Sequence, residues 1–351
     1  MMNWEENVRR VDPYVPGEQP TRTDLIKLNT NESPYPPTPL VEQAKSGIDV
    51  AHMRLYPNCT AQPLVEELAN YYHLKEDEVF VGVGSDDVLA IAFQTFFNGE
   101  RPVLFPDVTY SFYDVWCDLY RIPYKRIPLD ESLRIRPQDY EMPNGGIVLA
   151  NPNAPTGIAE SVDFIEQFLI KNPNVVVIVD EAYVDFGAVS VLPLIHKYDN
   201  LLVVQTFSKS RSMAGMRIGY AMGNQKLIRY MNDVKFATNS YTMNSPSMYY
   251  GVLAVKDEDY FRSTLAKIVA TRERMKVEFK KLGFEMTDSM TNFLFVKHKE
   301  KSAKDLFTYL KEKGIFVRYF SKPRVDQYLR ITIGTDEQMD CLVETLRAYL
   351  N

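Results

Sequence analysis

Apolar positions along this chain follow two distinct periods. Short unbroken runs at 79–83 (VFVGV), 103–105 (VLF), 147–150 (IVLA), 175–179 (VVVIV), 201–204 (LLVV) and 218–222 (IGYAM) predict strands covered on both faces, as in a parallel sheet. Another strand is expected at 124–127. Residues 63–73, 88–97, 113–120 and 227–233 instead carry apolar residues at helical spacing. The alternation predicts an α/β fold, a mostly parallel, doubly wound sheet with helices on both faces. Beyond about 246 the pattern changes to a long charged helix at 260–282, short strands at 293–296, 315–317 and 329–333, and helices at 303–313 and 336–350. Pro13, Pro16, Gly17 and Pro20 keep residues 10–20 out of helix and central strand, so an extended arm is expected there. The expected division is an arm and initial segment over 1–40 that joins the small unit, a large domain over 41–248, and a small α+β domain over 249–351.

Chemistry collects where the predicted strands end. The 201–204 run leads through Gln205-Thr206-Phe207 to Ser208 and Lys209, with Arg217 eight residues further on. A lysine in a crevice at a strand end is desolvated, which favours its neutral, nucleophilic amine. The 175–179 run ends in Asp180, with Tyr183 three positions later, and the 147–150 run enters a rigid Pro-rich turn that contains Asn153. Crevices at strand ends are where open α/β sheets bind ligands. Upstream, the 79–83 strand passes through Gly84, Ser85 and Asp86 into a helix, an arrangement that aims backbone N–H groups at a phosphate. Asp87 stands where a dinucleotide fingerprint needs its third glycine, and no GxxxxGK[ST] occurs. An amine, an acid, donors for a phenolic oxygen and an anion site together suit pyridoxal 5'-phosphate.

The segments NPNAPTG (151–157), DEAYVDF (180–186) and FSKSRSMAGMRIGY (207–220) resemble the signatures of the fold-type I pyridoxal-phosphate aminotransferases. Within that family the chain is most similar to the histidinol-phosphate aminotransferases. The resemblance implies that Lys209 carries the cofactor and then moves the substrate proton, with Asp180 at the ring nitrogen and Asn153 and Tyr183 at the phenolic oxygen. It implies that Tyr110 stacks on the ring. It gives the cofactor phosphate to Gly84, Ser85, the backbone N–H of Asp86, Ser208, Arg217 and, across a homodimer interface, Tyr56. It also assigns Tyr14, in the context VDPYVPGE, with Arg318 and Arg330, to the substrate. Arg330 lies inside the apolar YLRITIG, where a guanidinium needs either a buried ion pair or an anionic ligand. Ser33 replaces the family's usual asparagine in NESPY. The implied reaction exchanges the amino group between histidinol phosphate and 2-oxoglutarate. An aromatic amino-acid aminotransferase and the threonine-phosphate decarboxylase of cobalamin synthesis share most of these motifs.

Composition narrows the remaining choices. With 351 residues, 45% hydrophobic and 25% charged, the chain is globular material of two-domain size. A net charge of −6 without a basic stripe argues against a nucleic-acid partner. Cys59, Cys117 and Cys341 have no paired spacing, which suggests a reducing, cytoplasmic setting, and the four scattered histidines suggest no metal site. The charged N-terminus has no apolar core, and no run approaches membrane-spanning length.

Overall fold

The computed structural model describes residues 4–21, 24–44 and 47–350. Its strands in chain order are β1 (Ile26–Lys27), β2 (Val79–Val83), β3 (Val103–Pro106), β4 (Tyr124–Ile127), β5 (Gly146–Ala150), β6 (Val177–Asp180), β7 (Leu201–Thr206) and β8 (Ile218–Gly223). There follow β9 (Phe284–Met286), β10 (Phe293–His298), β11 (Ile315–Phe316), β12 (Arg318–Tyr319) and β13 (Leu329–Thr332). Seven strands form the main sheet in the order β2-β8-β7-β6-β5-β3-β4. Strands β3 to β7 pair in parallel, whereas β8 runs antiparallel to both neighbours. No helical crossover separates β7 from β8. The loop between them closes on itself, with the Phe207 N–H donating to Ile218 O at 3.0 Å, so the chain must return antiparallel.

Alternation along the central strands explains why their sequences read as unbroken apolar runs. Val177, Val179, Leu201 and Val203 face one layer, with Leu64 and Leu68 of the helix Gln62–Tyr72 and Phe168 of the helix Val162–Lys171. Ile178, Leu202 and Val204 face the other, with Leu89 and Phe93 of the helix Ser85–Phe96 and Met231 of the helix Gln225–Thr238. Both faces are dry, so neither can tolerate polar alternation. Register matters most for function: Asp180 pairs with Ala150 on one side and Val204 on the other. β5 and β6 therefore end level, and β7 continues two residues further to Thr206.

Some helices differ from the sequence expectation. The helix expected from 88 begins at Ser85, because Gly84 turns the chain at φ 85° and Asp86 and Asp87 suit the positive first turn. The helix Ser245–Lys256 was not anticipated; Asn244 caps it by accepting the Ser247 N–H. Its Met248, Ala254 and Val255 pack with the main-sheet core, so the break expected at 248/249 falls inside a helix. The following long helix, Glu258–Lys281, packs in a second core with β10, β13 and the helix Asp336–Leu350. β1 pairs in parallel with β11, and Leu28 lies in that second core.

Candidate active site

The carboxyl ends of β5, β6 and β7 bring Asn153, Asp180 and Lys209 to one edge of the sheet. Asp180 is buried; its Oδ2 accepts the Tyr113 hydroxyl at 2.8 Å and its Oδ1 accepts the Ala182 N–H at 3.1 Å. Burial pushes the carboxyl up to about 6, against the pull of those two bonds. Lys209 Nζ donates to Thr30 O at 3.0 Å and lies 6.0 Å from the Tyr183 ring centre. Burial, followed by the charge of Arg330, brings its amine down to about 8, while Glu32 and Asp86 act the other way. Asn153 accepts the Thr109 hydroxyl at 2.7 Å and uses both amide hydrogens, on Val108 O and Thr156 Oγ1, each at 3.0 Å. A ring oxygen would have to displace one of them.

Next to this group is an anion corner. The helix Ser85–Phe96 has no side-chain cap at Gly84, which leaves its first-turn N–H groups directed outward. A Cβ at Gly84 would come within 2.4 Å of Arg217 Nη2, so glycine is what lets the guanidinium lie over the helix start. Arg217 itself adopts φ 54°, a left-handed conformation that is uncommon for arginine and suggestive of function. Ser208 is buried and accepts the Thr206 hydroxyl at 3.0 Å. The Asp86 carboxylate is engaged beyond the backbone role expected of it: Oδ1 accepts the Tyr110 hydroxyl at 2.8 Å and Oδ2 lies 3.5 Å from Arg217 Nη2. It thereby orients the Tyr110 ring and the arginine together. Tyr56 is 82% exposed and stacks on Tyr241 at 4.5 Å.

Two arginines close the other side. Arg330 is held by Asn29 O at 3.1 Å, its Nε has no partner, and no carboxylate lies within ion-pair distance of it among the described residues. Its guanidinium sits 5.4 Å from the Phe293 ring centre and 5.7 Å from that of Phe320. The buried ion pair considered for it is thus absent among those residues, which leaves the anionic ligand. Arg318 donates to Val15 O at 3.1 Å and Pro16 O at 3.2 Å and so fastens the arm. Tyr14, within that arm, stacks on Phe112 at 4.2 Å and lies 6.3 Å from Tyr110.

The donor set fits pyridoxal phosphate: a half-buried amine with lowered proton affinity, a buried acid, a flanking aromatic and an uncapped helix start beside Arg217. Sequence reasoning missed Tyr113, Asn31 and Thr109. Tyr113 carried one available signal, since it lies with Trp116 and Cys117 on the apolar face of the helix Phe112–Tyr120. Asn31 reaches the site by donating Nδ2 to the Tyr183 hydroxyl at 2.8 Å.

The chain belongs to the class I and II aminotransferases, whose family model matches residues 23–346. It is 49% identical over 349 residues to a Lactococcus lactis subsp. lactis protein named histidinol-phosphate aminotransferase, an alignment that spans 99% of this chain and 97% of that one. A Sinorhizobium meliloti histidinol-phosphate aminotransferase, solved in complex with pyridoxal-5'-phosphate, shares the fold at a TM-score of 0.84 and 22% identity, covering 92% of this chain and 91% of that one. L-threonine-O-3-phosphate decarboxylase from Porphyromonas gingivalis shares it at 0.77 and 22% identity, covering 93% and 99%. Fold alone therefore leaves the reaction open.

Proposed function

We propose that this chain is a pyridoxal-phosphate-dependent histidinol-phosphate aminotransferase, which exchanges the amino group between L-histidinol phosphate and 2-oxoglutarate in histidine biosynthesis. One structural observation carries the substrate assignment: Arg330 is a half-buried cation near Lys209 whose enclosed Nε has no partner and which lacks a carboxylate partner among the described residues. A half-buried guanidinium so placed is satisfied by an anionic substrate, in one half-reaction the phosphate of histidinol phosphate and in the other a carboxylate of the keto acid. The near-full-length similarity to histidinol-phosphate aminotransferases supports the same reading.

Bound pyridoxal phosphate supplies an electron sink for the charge that develops at the substrate carbon. Lys209 would hold the cofactor and, as a free amine, would take the proton from that carbon on Nζ, a task suited to an amine brought down to about 8. Asp180 would keep the cofactor's ring nitrogen protonated, Tyr183 and Asn153 would serve its ring oxygen, and Tyr110 would flank the ring. Gly84, Ser85, Asp86, Ser208 and Arg217 hold the cofactor phosphate. Arg318 and Tyr14 join Arg330 at the substrate.

The same proposal includes a homodimer in which Tyr56 completes the neighbouring subunit's phosphate site, supported by its exposed position. It includes a cytoplasmic setting, supported by three cysteines that are all free, and a division into arm, large and small domains whose second break shifts to Asp257, the cap of the long helix. Among the described residues, no helix is long and apolar enough to cross a membrane. Steady-state kinetics test the function: kcat/KM for histidinol phosphate should exceed that for histidinol and for phenylalanine by orders of magnitude. Equal use of phenylalanine would move the assignment to aromatic amino-acid transamination.

A further inference from the structure

Asn31 occupies the left-handed region at φ 56°, which asparagine enters more readily than most residues. Its backbone is clamped from two sides: its N–H donates to Thr332 Oγ1 of β13 at 3.0 Å, and its carbonyl accepts Asn292 Nδ2, just before β10, at 3.0 Å. A hydroxyl oxygen that accepts that N–H directs its own proton elsewhere, and Thr332 Oγ1 donates to Asn31 Oδ1 at 3.1 Å. With Oδ1 engaged, the amide nitrogen faces the other way and donates to the Tyr183 hydroxyl. Among the described residues, Asn31 is the hydrogen-bond partner of that hydroxyl. The Tyr183 oxygen is thereby an acceptor toward Asn31, and its proton points away from it. Because a backbone N–H cannot reverse, the sequence from Asn31 N through Thr332 and Asn31 Nδ2 to Tyr183 has a single direction.

We propose that Asn31 and Thr332 are positioning residues that fix Tyr183 as an outward hydrogen-bond donor, aimed at the anionic ring oxygen of the bound cofactor. The inference rests on the cofactor role proposed for Tyr183 and adds what sets the sense of its hydrogen bond. Thr332 also lies two positions from Arg330 on β13, so one strand carries both the relay and the substrate cation. The charged groups that act on Tyr183 are Lys209, 6.0 Å from its ring, with Arg330, Asp180 and Asp86.

A pH titration of the visible absorbance of pyridoxal-phosphate-loaded protein tests this. A donor on the ring oxygen stabilises its anion and keeps the midpoint low, so Tyr183→Phe should raise it by about 1 pH unit or more. Thr332→Val, neutral and of the same shape, lets the Asn31 amide turn over and should raise the midpoint part of the way to that of Tyr183→Phe. Thr332→Ser retains the hydroxyl and should keep the wild-type midpoint. Asn31→Asp has no donor, draws the Tyr183 proton inward, and should raise the midpoint at least as far as Tyr183→Phe. If Tyr183→Phe shifts while Thr332→Val or Asn31→Asp matches wild type, the relay is overturned. An unshifted Tyr183→Phe would instead remove the role given to Tyr183 itself.

Discussion

The hydroxyl of Tyr113 donates to Asp180 Oδ2 across 2.8 Å, with both residues buried beneath the strand ends. This bond helps the carboxylate persist in a dry site where burial alone would protonate it.

The balance has a measurable consequence in the cofactor-free protein. Asp180 is raised from 3.8 to about 6, so between those values the folded chain holds a proton that the unfolded chain has released. The stability contributed by this group therefore falls as pH rises through that window. Asp180→Asn removes the titration; it should stabilise the cofactor-free protein at pH 7 by roughly 1–3 kcal/mol while abolishing transamination. Melting curves at acid and neutral pH check this, since the advantage of the variant should grow with pH. Tyr113→Phe should extend the window upward.

Lys209 titrates in the opposite sense. Its amine is lowered to about 8 from 10.5, so between those values the folded chain binds fewer protons than the unfolded one, and stability from this group rises with pH. The rate at which cofactor-free protein captures pyridoxal phosphate should rise with pH around a midpoint of about 8. Stopped-flow absorbance measures it. Lys209→Ala should show no borohydride-fixed cofactor at this site; a single fixed adduct on that variant would move the lysine assignment elsewhere.

What could be read from the sequence was local. Asn153, Asp180 and Lys209 each follow a buried run within five residues, so strand periodicity alone placed them near strand ends. The hidden partners are those that meet only through tertiary packing: Asn31 and Thr332 are 301 positions apart, and Tyr113 and Asp180 are 67 apart. The antiparallel direction of β8 was equally hidden, because a run such as IGYAM has the same burial in either direction. Arg330 was visible as an anomaly in an apolar strand, but the absence of a carboxylate beside it needed the fold.

Arg330→Gln should lower kcat/KM for histidinol phosphate by roughly 10²–10³-fold, the size of effect seen when one partner of a desolvated charge pair is removed. Arg318→Gln should cost less, since Arg318 already donates to Val15 O and Pro16 O, and should also loosen the arm. Steady-state kinetics with limited proteolysis of the arm separate the two effects.

Tyr56 offers a test of assembly. Chains carrying Lys209→Ala and chains carrying Tyr56→Ala, each impaired alone, should regain activity when co-expressed, because a mixed dimer contains one intact site. Activity no higher than that of the Tyr56→Ala chain would place Tyr56 outside the neighbouring site.

The central claim is tested most directly by titrating the cofactor-loaded protein with histidinol phosphate in the absence of any keto acid, following absorbance. The account predicts loss of the cofactor's visible band as the amino group is transferred, restored on addition of 2-oxoglutarate with formation of glutamate. Retention of the band with histidinol phosphate, together with carbon dioxide release from threonine phosphate, would contradict it.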